Sequence, residues 1–154
     1  MEVTSKMIDF KLLNFDKVTK KTRVWNQKLK NSINDGLEEL GEFMVEKIIT
    51  ELVKKSPSKG PVTRYGRGGK RIAYPAKKGH SPNSDTGALV RSIDKKQKKR
   101  ELSVLVGSRN VGGVNYGGIL EEQLGRPFIL PTAKKNKRQA RKILLNSIKR
   151  GGFM

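Results

Sequence analysis

The chain has 154 residues, of which 34% are hydrophobic, and its 34 Lys and Arg against 14 Asp and Glu give a formal net charge of +20. This length fits one domain with a modest core, and like-charge repulsion disfavours a compact monomer on its own. We therefore expect an anionic partner or an acidic neighbouring subunit. The absence of cysteine excludes disulfides and thiolate metal sites, and a single histidine gives no reason to expect a metal site.

Membrane insertion and export are not expected from this sequence. No apolar run approaches the roughly 18 residues that a membrane span needs. The first ten residues also lack the basic segment and apolar core of a signal peptide. We predict a protein that is made in the cytoplasm and has no membrane partner.

The first half of the chain predicts a strand, a long helix and a loop. Alternation over Met7–Leu13 predicts a short strand. Apolar residues then recur every three or four positions from Asp16 to Lys54, and a helix of that length would run roughly 58 Å. Either Gly36 and Gly41 mark a bend or break, or the helix packs on another chain. Residues 56–85 are basic and rich in Gly and Pro, which predicts a long loop, either functional or disordered.

Beyond the loop, the sequence predicts a short helix, a basic turn and a strand. The helix is expected over Thr86–Lys95, with an N-cap oxygen supplied by Asp85 or Thr86. A basic turn with the sequence KKQKKRE follows it. Alternation over Leu102–Gly107 then predicts a strand.

The C-terminal third predicts two more helices. Tyr116–Leu124 reads as a short helix that Gly125 closes. Pro131 suits the first position of a last helix, which ends near Arg150. Its narrow apolar stripe consists of Ala133, Ala140, Leu144, Ser147 and Ile148. The predicted fold class is α+β: a small antiparallel sheet or sandwich flanked by a long N-terminal helix, a short central helix and a C-terminal helix.

No group of residues forms a convincing catalytic site. Glu121 and Glu122 are adjacent, so on a helix they point about 100° apart and are poorly placed for acid–base work. The sequence GRGGK at Gly66–Lys70 lacks the spacing of a phosphate-binding loop, and Arg71 stands where Ser or Thr belongs. We predict a protein that is not an enzyme and has no catalytic residues, cofactor or metal.

The charges are unevenly distributed along the chain. Lys and Arg cluster in residues 54–78, 95–100 and 134–150, whereas the acids concentrate in Asp35–Glu51. The acidic helix of one copy could meet the basic tail of another, the basic segments could contact nucleic-acid phosphates, or they could form a solvated surface. The residues predicted to contact DNA or a partner lie in the loop: Lys59, Arg64, Tyr65, Arg67, Lys70, Arg71, Tyr74, Lys77 and Lys78.

Two motifs, separated by a β segment, carry a resemblance. The first is SPNSDTGALVRSI (Ser81–Ile93), and the second is VNYGGILEEQLGRPFILP (Val114–Pro131). Together with the long helix and the Pro/Gly loop before them, they resemble the tail-completion, or head–tail joining (neck), proteins of long-tailed bacteriophages. That family commonly shows P-x-DTG-x-L-x-x-SI, then Y-A-x-x-L/V-E-x-G and RPF-L/I-x-P before a closing helix.

The resemblance covers roughly residues 8–148, with three departures, one of which is the length of the basic loop. Gly117 stands where the family usually has Ala after the Tyr, and EEQLG is longer than the common E-x-G. The matching residues are Pro82, Asp85, Thr86, Gly87, Leu89, Ser92, Ile93, Tyr116, Leu120, Glu121, Gly125, Arg126, Pro127, Phe128 and Pro131.

The resemblance implies a structural virion protein whose single domain, residues 1–154, is similar in fold to tail-tube and tail-terminator proteins. Such proteins assemble into a ring, usually sixfold, between the head connector and the tail, and DNA passes through the ring. The implied partners are other copies of the chain, the head connector or adaptor, tail-terminator or tail-tube proteins, and DNA in the channel. The implied location is the neck of the virion, after synthesis in the bacterial cytoplasm. The alternative is a basic nucleic-acid-binding protein that contacts phosphates through residues 54–78 and 134–150.

We expect most residues of the first motif to maintain the fold. Asp85 or Thr86 would cap the short helix. Gly87 would allow close approach of its first turn. Leu89 and Ile93 would anchor it on the sheet.

The second motif is expected to act in the same way. Arg126 would pair with Glu121 or Glu122. Phe128 would fill the core, and the prolines on either side of it would fix the route of the chain into the last helix.

Overall fold

The computed structural model describes residues 8–11, 26–66, 69–83, 87–110 and 113–153. They form an α+β fold, as predicted. Its elements in chain order are β1 (Ile8–Lys11), α1 (Asn26–Val53), β2 (Val62–Gly66), β3 (Gly69–Ala73), α2 (Ala88–Ser92), β4 (Ile93–Lys98), β5 (Ser103–Ser108), α3 (Tyr116–Gly118), a π-helical segment (Ile119–Gln123) and α4 (Ile129–Arg150). Among the helices described, none combines the length and the apolar character needed to cross a membrane.

The main sheet has three antiparallel strands in the order β1–β5–β4. Ile8 pairs with Val106 on one side of β5, and Ile93 pairs with Ser108 on the other. Central strand β5 is buried along most of its length. The predicted strands are therefore confirmed over residues 8–11 and 103–107, and the second continues to Ser108. Positions 7, 12 and 13 of the first prediction lie outside the described residues.

The predicted helix over Thr86–Lys95 is too long. Helix α2 ends at Ser92, and strand β4 (residues 93–98) occupies the predicted helix end and the first four residues of the predicted turn, which is confined to residues 99–102. Alternate residues of β4 meet α1: Lys95 forms ion pairs with Glu38 and Glu42, and Gln97 donates a 2.7 Å hydrogen bond to the Asn34 carbonyl. These non-local partners stabilise a strand in a segment whose local composition favours a turn.

Helix α1 packs on the sheet, and α4 packs along α1. The core contribution of α1 repeats at helical spacing and consists of Ile33, Leu37, Leu40, Met44, Ile48 and Leu52. Strand β5 adds Val104 and Val106, and the C-terminal part adds Phe128, Ile129 and Ala140. The predicted stripe on the last helix is confirmed, since its residues are buried or half-buried.

Gly36 and Gly41 do not break the helix, because α1 runs without interruption from Asn26 to Val53. They are instead points of close approach. A Cβ at Gly36 would stand 2.8 Å from the Cβ of Ser147 in α4, and one at Gly41 would stand 2.9 Å from Cγ2 of Val104 in β5. The predicted helix residues before Asn26 lie outside the described part of the chain.

Helix α4 begins two residues earlier than predicted, so Pro131 is its third residue and not its first. A glutamate outside the helix sets this start. The Glu121 Oε1 accepts hydrogen bonds from the backbone N–H groups of Phe128 (2.9 Å) and Ile129 (2.5 Å). Pro131 is tolerated in the first turn because an N–H there has no acceptor within the helix.

The predicted loop over residues 56–85 contains an antiparallel hairpin. Strands β2 and β3 pair Thr63 with Ile72 and Tyr65 with Lys70, and a bridge between Ser58 and Ala76 extends the stem. The alternation of β-branched and aromatic residues on both sides of a Gly-rich centre is the local signal for this hairpin. The high Gly and Pro content of residues 56–85 favours the prediction of a loop over that of strands.

Candidate functional site

The β2–β3 hairpin presents large side chains to solvent. Its strands pair with each other and not with the three-stranded sheet. Tyr65 is 79% exposed and Ile72 is 61% exposed, and alternation along the paired strands places both on one face. An isolated two-stranded hairpin is marginally stable in water. Exposed apolar side chains on such an element indicate a contact surface.

Asn83 fixes the base of the hairpin. Its Oδ1 accepts a 2.6 Å hydrogen bond from the Ser56 N–H, and its Nδ2 donates to the carbonyls of Ser56 (3.0 Å) and Tyr74 (2.9 Å). The Asn83 side chain thereby joins the beginning of this segment at Ser56 to the backbone just after β3 at Tyr74. The sequence did not indicate a role for Asn83. Its partners Ser56 and Tyr74 lie 27 and 9 residues away in the chain, so these contacts leave no local pattern.

An open groove of about 930 Å³ lies between the hairpin, the end of α1, α2 and the π-helical segment. Five of the exposed large apolar side chains line it: Val53, Ile72, Tyr74, Tyr116 and Leu124. Five cations also line it: Lys54, Lys55, Arg64, Arg71 and Arg126. No acidic side chain lies among the described residues of its wall. The groove thus combines an apolar surface with positive charge, which suits a partner of mixed apolar and acidic character.

The two motifs meet at a buried junction behind the groove. The Ser92 hydroxyl lies 2.8 Å from that of Ser108 and donates to the Leu89 carbonyl at 2.7 Å. A Cβ at Gly117 would stand only 2.3 Å from the Ser108 Cβ and 3.6 Å from the Phe128 ring. Position 117 therefore has no room for the alanine that the resembled family usually has there.

Three expected roles in the first motif can be compared with the structure. Leu89 packs against the core from a half-buried position, as predicted, whereas Ile93 is buried as the first residue of β4 and so belongs to the sheet and not to the helix that it was expected to anchor. Gly87, which precedes α2, has a positive φ of 71°, so its conformation favours glycine. Pro82 is buried at the groove. Asp85 and Thr86 lie outside the described residues, so their capping role stays a prediction.

The expected ion pair of Arg126 is wrong. In the described part of the chain, no salt bridge joins Arg126 to Glu121 or Glu122. The Glu121 carboxylate instead caps α4. The Arg126 Nε is buried without a hydrogen-bond partner there, and its backbone N–H donates to the Leu120 carbonyl at 2.9 Å.

The remaining positions of the second motif serve the fold or line the groove. Phe128 is fully buried, as predicted, and Leu120 packs against the core. Gly125 has a positive φ of 55° just after the helical segment, which confirms its terminating role. Tyr116 is exposed on the groove.

Eight of the nine predicted contact residues lie exposed along the hairpin and its stem. They are Lys59, Arg64, Tyr65, Lys70, Arg71, Tyr74, Lys77 and Lys78. The ninth, Arg67, lies outside the described residues. The structure therefore assembles these positions on one projecting element, although nothing in its geometry assigns them a phosphate or a protein partner.

The acidic face of α1 is partly engaged within the chain. Lys95 contacts Glu38 and Glu42, and Arg150 at the end of α4 forms an ion pair with Glu39. Burial acts to lower the pKa of Lys95, but the hydrogen bonds and charges of the two glutamates outweigh burial and raise that pKa. Because the raised pKa belongs to a cation, the contribution of Lys95 is present at neutral pH and is lost as the pH rises through the Lys95 pKa. Fewer α1 carboxylates are therefore available to a neighbouring copy than the sequence suggests.

Metal binding has no support in the described residues. No three His, Cys, Asp or Glu side chains of that part of the chain lie close enough together to hold an ion.

Comparison with known proteins found no relative. No protein-family model matches the chain, and searches of curated proteins and of solved structures gave no match. The neck-protein family therefore remains a resemblance that rests on the two motifs.

Proposed function

We propose that this chain is a structural subunit of the bacteriophage neck, a tail-completion or head–tail joining protein that assembles with copies of itself into a ring. The observation that carries the proposal is the hairpin, whose strands pair with each other and not with the described strands of the main sheet, beside an open groove lined by apolar and basic side chains. A protein that acts by assembly needs such surfaces, and it needs no catalytic constellation. The motif resemblance supplies the place of assembly, between head connector and tail, and the sixfold symmetry.

The hairpin and the groove share Ile72 and so form one contact surface. When this surface packs against a different, more acidic surface of the next copy, the contact is heterologous, and it closes into a ring if the rotation between copies permits. Burying an exposed Ile or Tyr contributes roughly 1.5–3 kcal/mol. Several such side chains at each contact would offset part of the electrostatic repulsion between basic subunits.

Native mass spectrometry and negative-stain electron microscopy of the purified chain test this proposal. Both are performed over a range of concentrations, with and without a head-connector or tail-tube partner. We expect a symmetric oligomer that forms at high concentration or on the partner. The double variant Tyr65→Ser/Ile72→Ser should lose the oligomer and keep the circular-dichroism spectrum, because both side chains are exposed.

Leu130→Ser/Leu145→Ser is the matched control. These two apolar side chains are also exposed, at 49% and 36%, but they lie on α4 away from the hairpin and groove. The control variant should assemble normally. A chain that stays monomeric with every virion partner, or a control that is as defective as the hairpin variant, would contradict the proposal.

A further inference from the structure

The outward face of α4 is a long cationic surface. Within Ile129–Arg150 there is no Asp or Glu. The buried residues Ile129, Thr132, Ala140 and Ser147 fall within an arc of about 80° on the helix. Seven cations point away from this stripe and are exposed: Lys134, Lys135, Lys137, Arg138, Arg141, Lys142 and Lys149. They extend over about 22 Å of the helix axis.

The described part of the chain does not neutralise these seven charges. None of them forms an ion pair within the part of the chain that the structure describes. Arg150 at the helix end differs, because it pairs with Glu39. Mutual repulsion of seven like charges on one helix face costs free energy. A polyanion lying along this face would remove that cost.

The composition of the surface selects among polyanions. Helix α4 has no aromatic residue, so it offers no platform on which unpaired bases could stack. Its apolar stripe is covered by α1, so it has no free apolar face to insert into a membrane. Leu130 and Leu145 are its only large exposed apolar side chains, and protein interfaces need a cluster of buried anchors.

Double-helical DNA is a polyanion that needs neither stacking aromatic residues nor an apolar face on the helix that binds it. It carries one phosphate charge per 1.7 Å or so of helix axis, and its major groove, about 12 Å wide, accepts an α-helix. The deep, narrow major groove of double-stranded RNA does not accept an α-helix in this way. We propose that duplex DNA binds along the outward face of α4 through phosphate contacts that do not depend on sequence. This binding activity goes beyond the assembly role and does not require it.

Fluorescence anisotropy with a labelled 30-base-pair duplex tests the proposal. The variant replaces five α4 cations by glutamine: Lys134, Arg138, Arg141, Lys142 and Lys149. The control replaces five exposed cations outside α4, the hairpin and the groove by glutamine: Lys28, Lys30, Lys96, Lys99 and Arg100. Both variants have the same net charge, so any difference between them reports position and not total charge.

We expect the wild-type chain to bind the duplex with an affinity that falls steeply between 50 and 200 mM salt. The α4 variant should bind about a hundredfold more weakly, with a salt slope reduced by about three to five, because each phosphate contact adds about one to that slope. The control should bind within about threefold of wild type. Circular dichroism should show unchanged helix content, since glutamine is a good helix former.

Three results would overturn the proposal. These are no duplex binding by the wild-type chain at 50 mM salt, equal losses in the two variants, or tighter binding of a 30-nucleotide single strand than of the duplex. Equal losses would mean that net charge alone drives binding, and a single-strand preference would point to the tyrosine-bearing hairpin. Native mass spectrometry of the same variants measures assembly separately. Failure of the assembly proposal can therefore be distinguished from failure of the DNA-binding proposal.

Discussion

At the scale of single residues, the second motif shows how position decides a side chain's role. Gly117 faces Ser108 so closely that any Cβ would overlap it. We expect Gly117→Ala to lower the free energy of unfolding by about 1–3 kcal/mol, the usual cost of overpacking. Urea denaturation measures the loss. Adding Ser108→Gly should recover part of it, and strictly additive effects of the two substitutions would argue against a direct clash.

Glu121 gives a second prediction at this scale. Its carboxylate accepts two backbone hydrogen bonds at the positive end of α4. We expect Glu121→Ala to destabilise the fold by about 1–2 kcal/mol and Glu121→Gln by less, because glutamine keeps the acceptor and loses the charge. Glu122→Ala is the control, since Glu122 is exposed. Equal thermal shifts for alanine at 121 and 122 would contradict the capping role.

At the scale of elements, the hairpin depends on its base more than on the core. Its strands have their extensive contacts with each other, and Asn83 joins the base to the end of α1. We expect Asn83→Ala to speed hydrogen exchange of the amides in residues 62–73 about tenfold or more and to leave the amides of α1 unchanged. Asn146→Ala, on the exposed face of α4, is the control. Unchanged hairpin exchange would show that other contacts hold the hairpin.

At the scale of the whole molecule, a net charge of +20 opposes compaction. Raising NaCl from 10 to 150 mM shortens the Debye length from about 30 to about 8 Å and screens this repulsion. We expect the melting temperature of the free chain to rise by several degrees over that range. The five-glutamine α4 variant should show a smaller rise. A melting temperature that falls with salt would mean that attractive ion pairs such as those of Lys95 outweigh the repulsion.

The sequence by itself determined the elements whose signals are local. Apolar residues every three or four positions predicted α1, alternation predicted β5, and a glycine predicted the end of the helix at Gly125. It also indicated the core positions Ile93 and Phe128. These predictions hold because helix periodicity, strand alternation and turn chemistry are each set by a few neighbouring residues.

The tertiary structure decided what depends on residues far apart in the chain. Lys95 and Gln97 belong to a strand because α1 supplies their partners. Gly36 permits close packing of α4, since Ser147 lies opposite it, and it does not break α1. Glu121 caps α4 because the chain folds back over seven residues. The outward direction of the α4 cations was likewise fixed only when the opposite face of the helix packed on α1. Each of these contacts joins groups that a local sequence pattern does not relate, so only the folded chain brings them together.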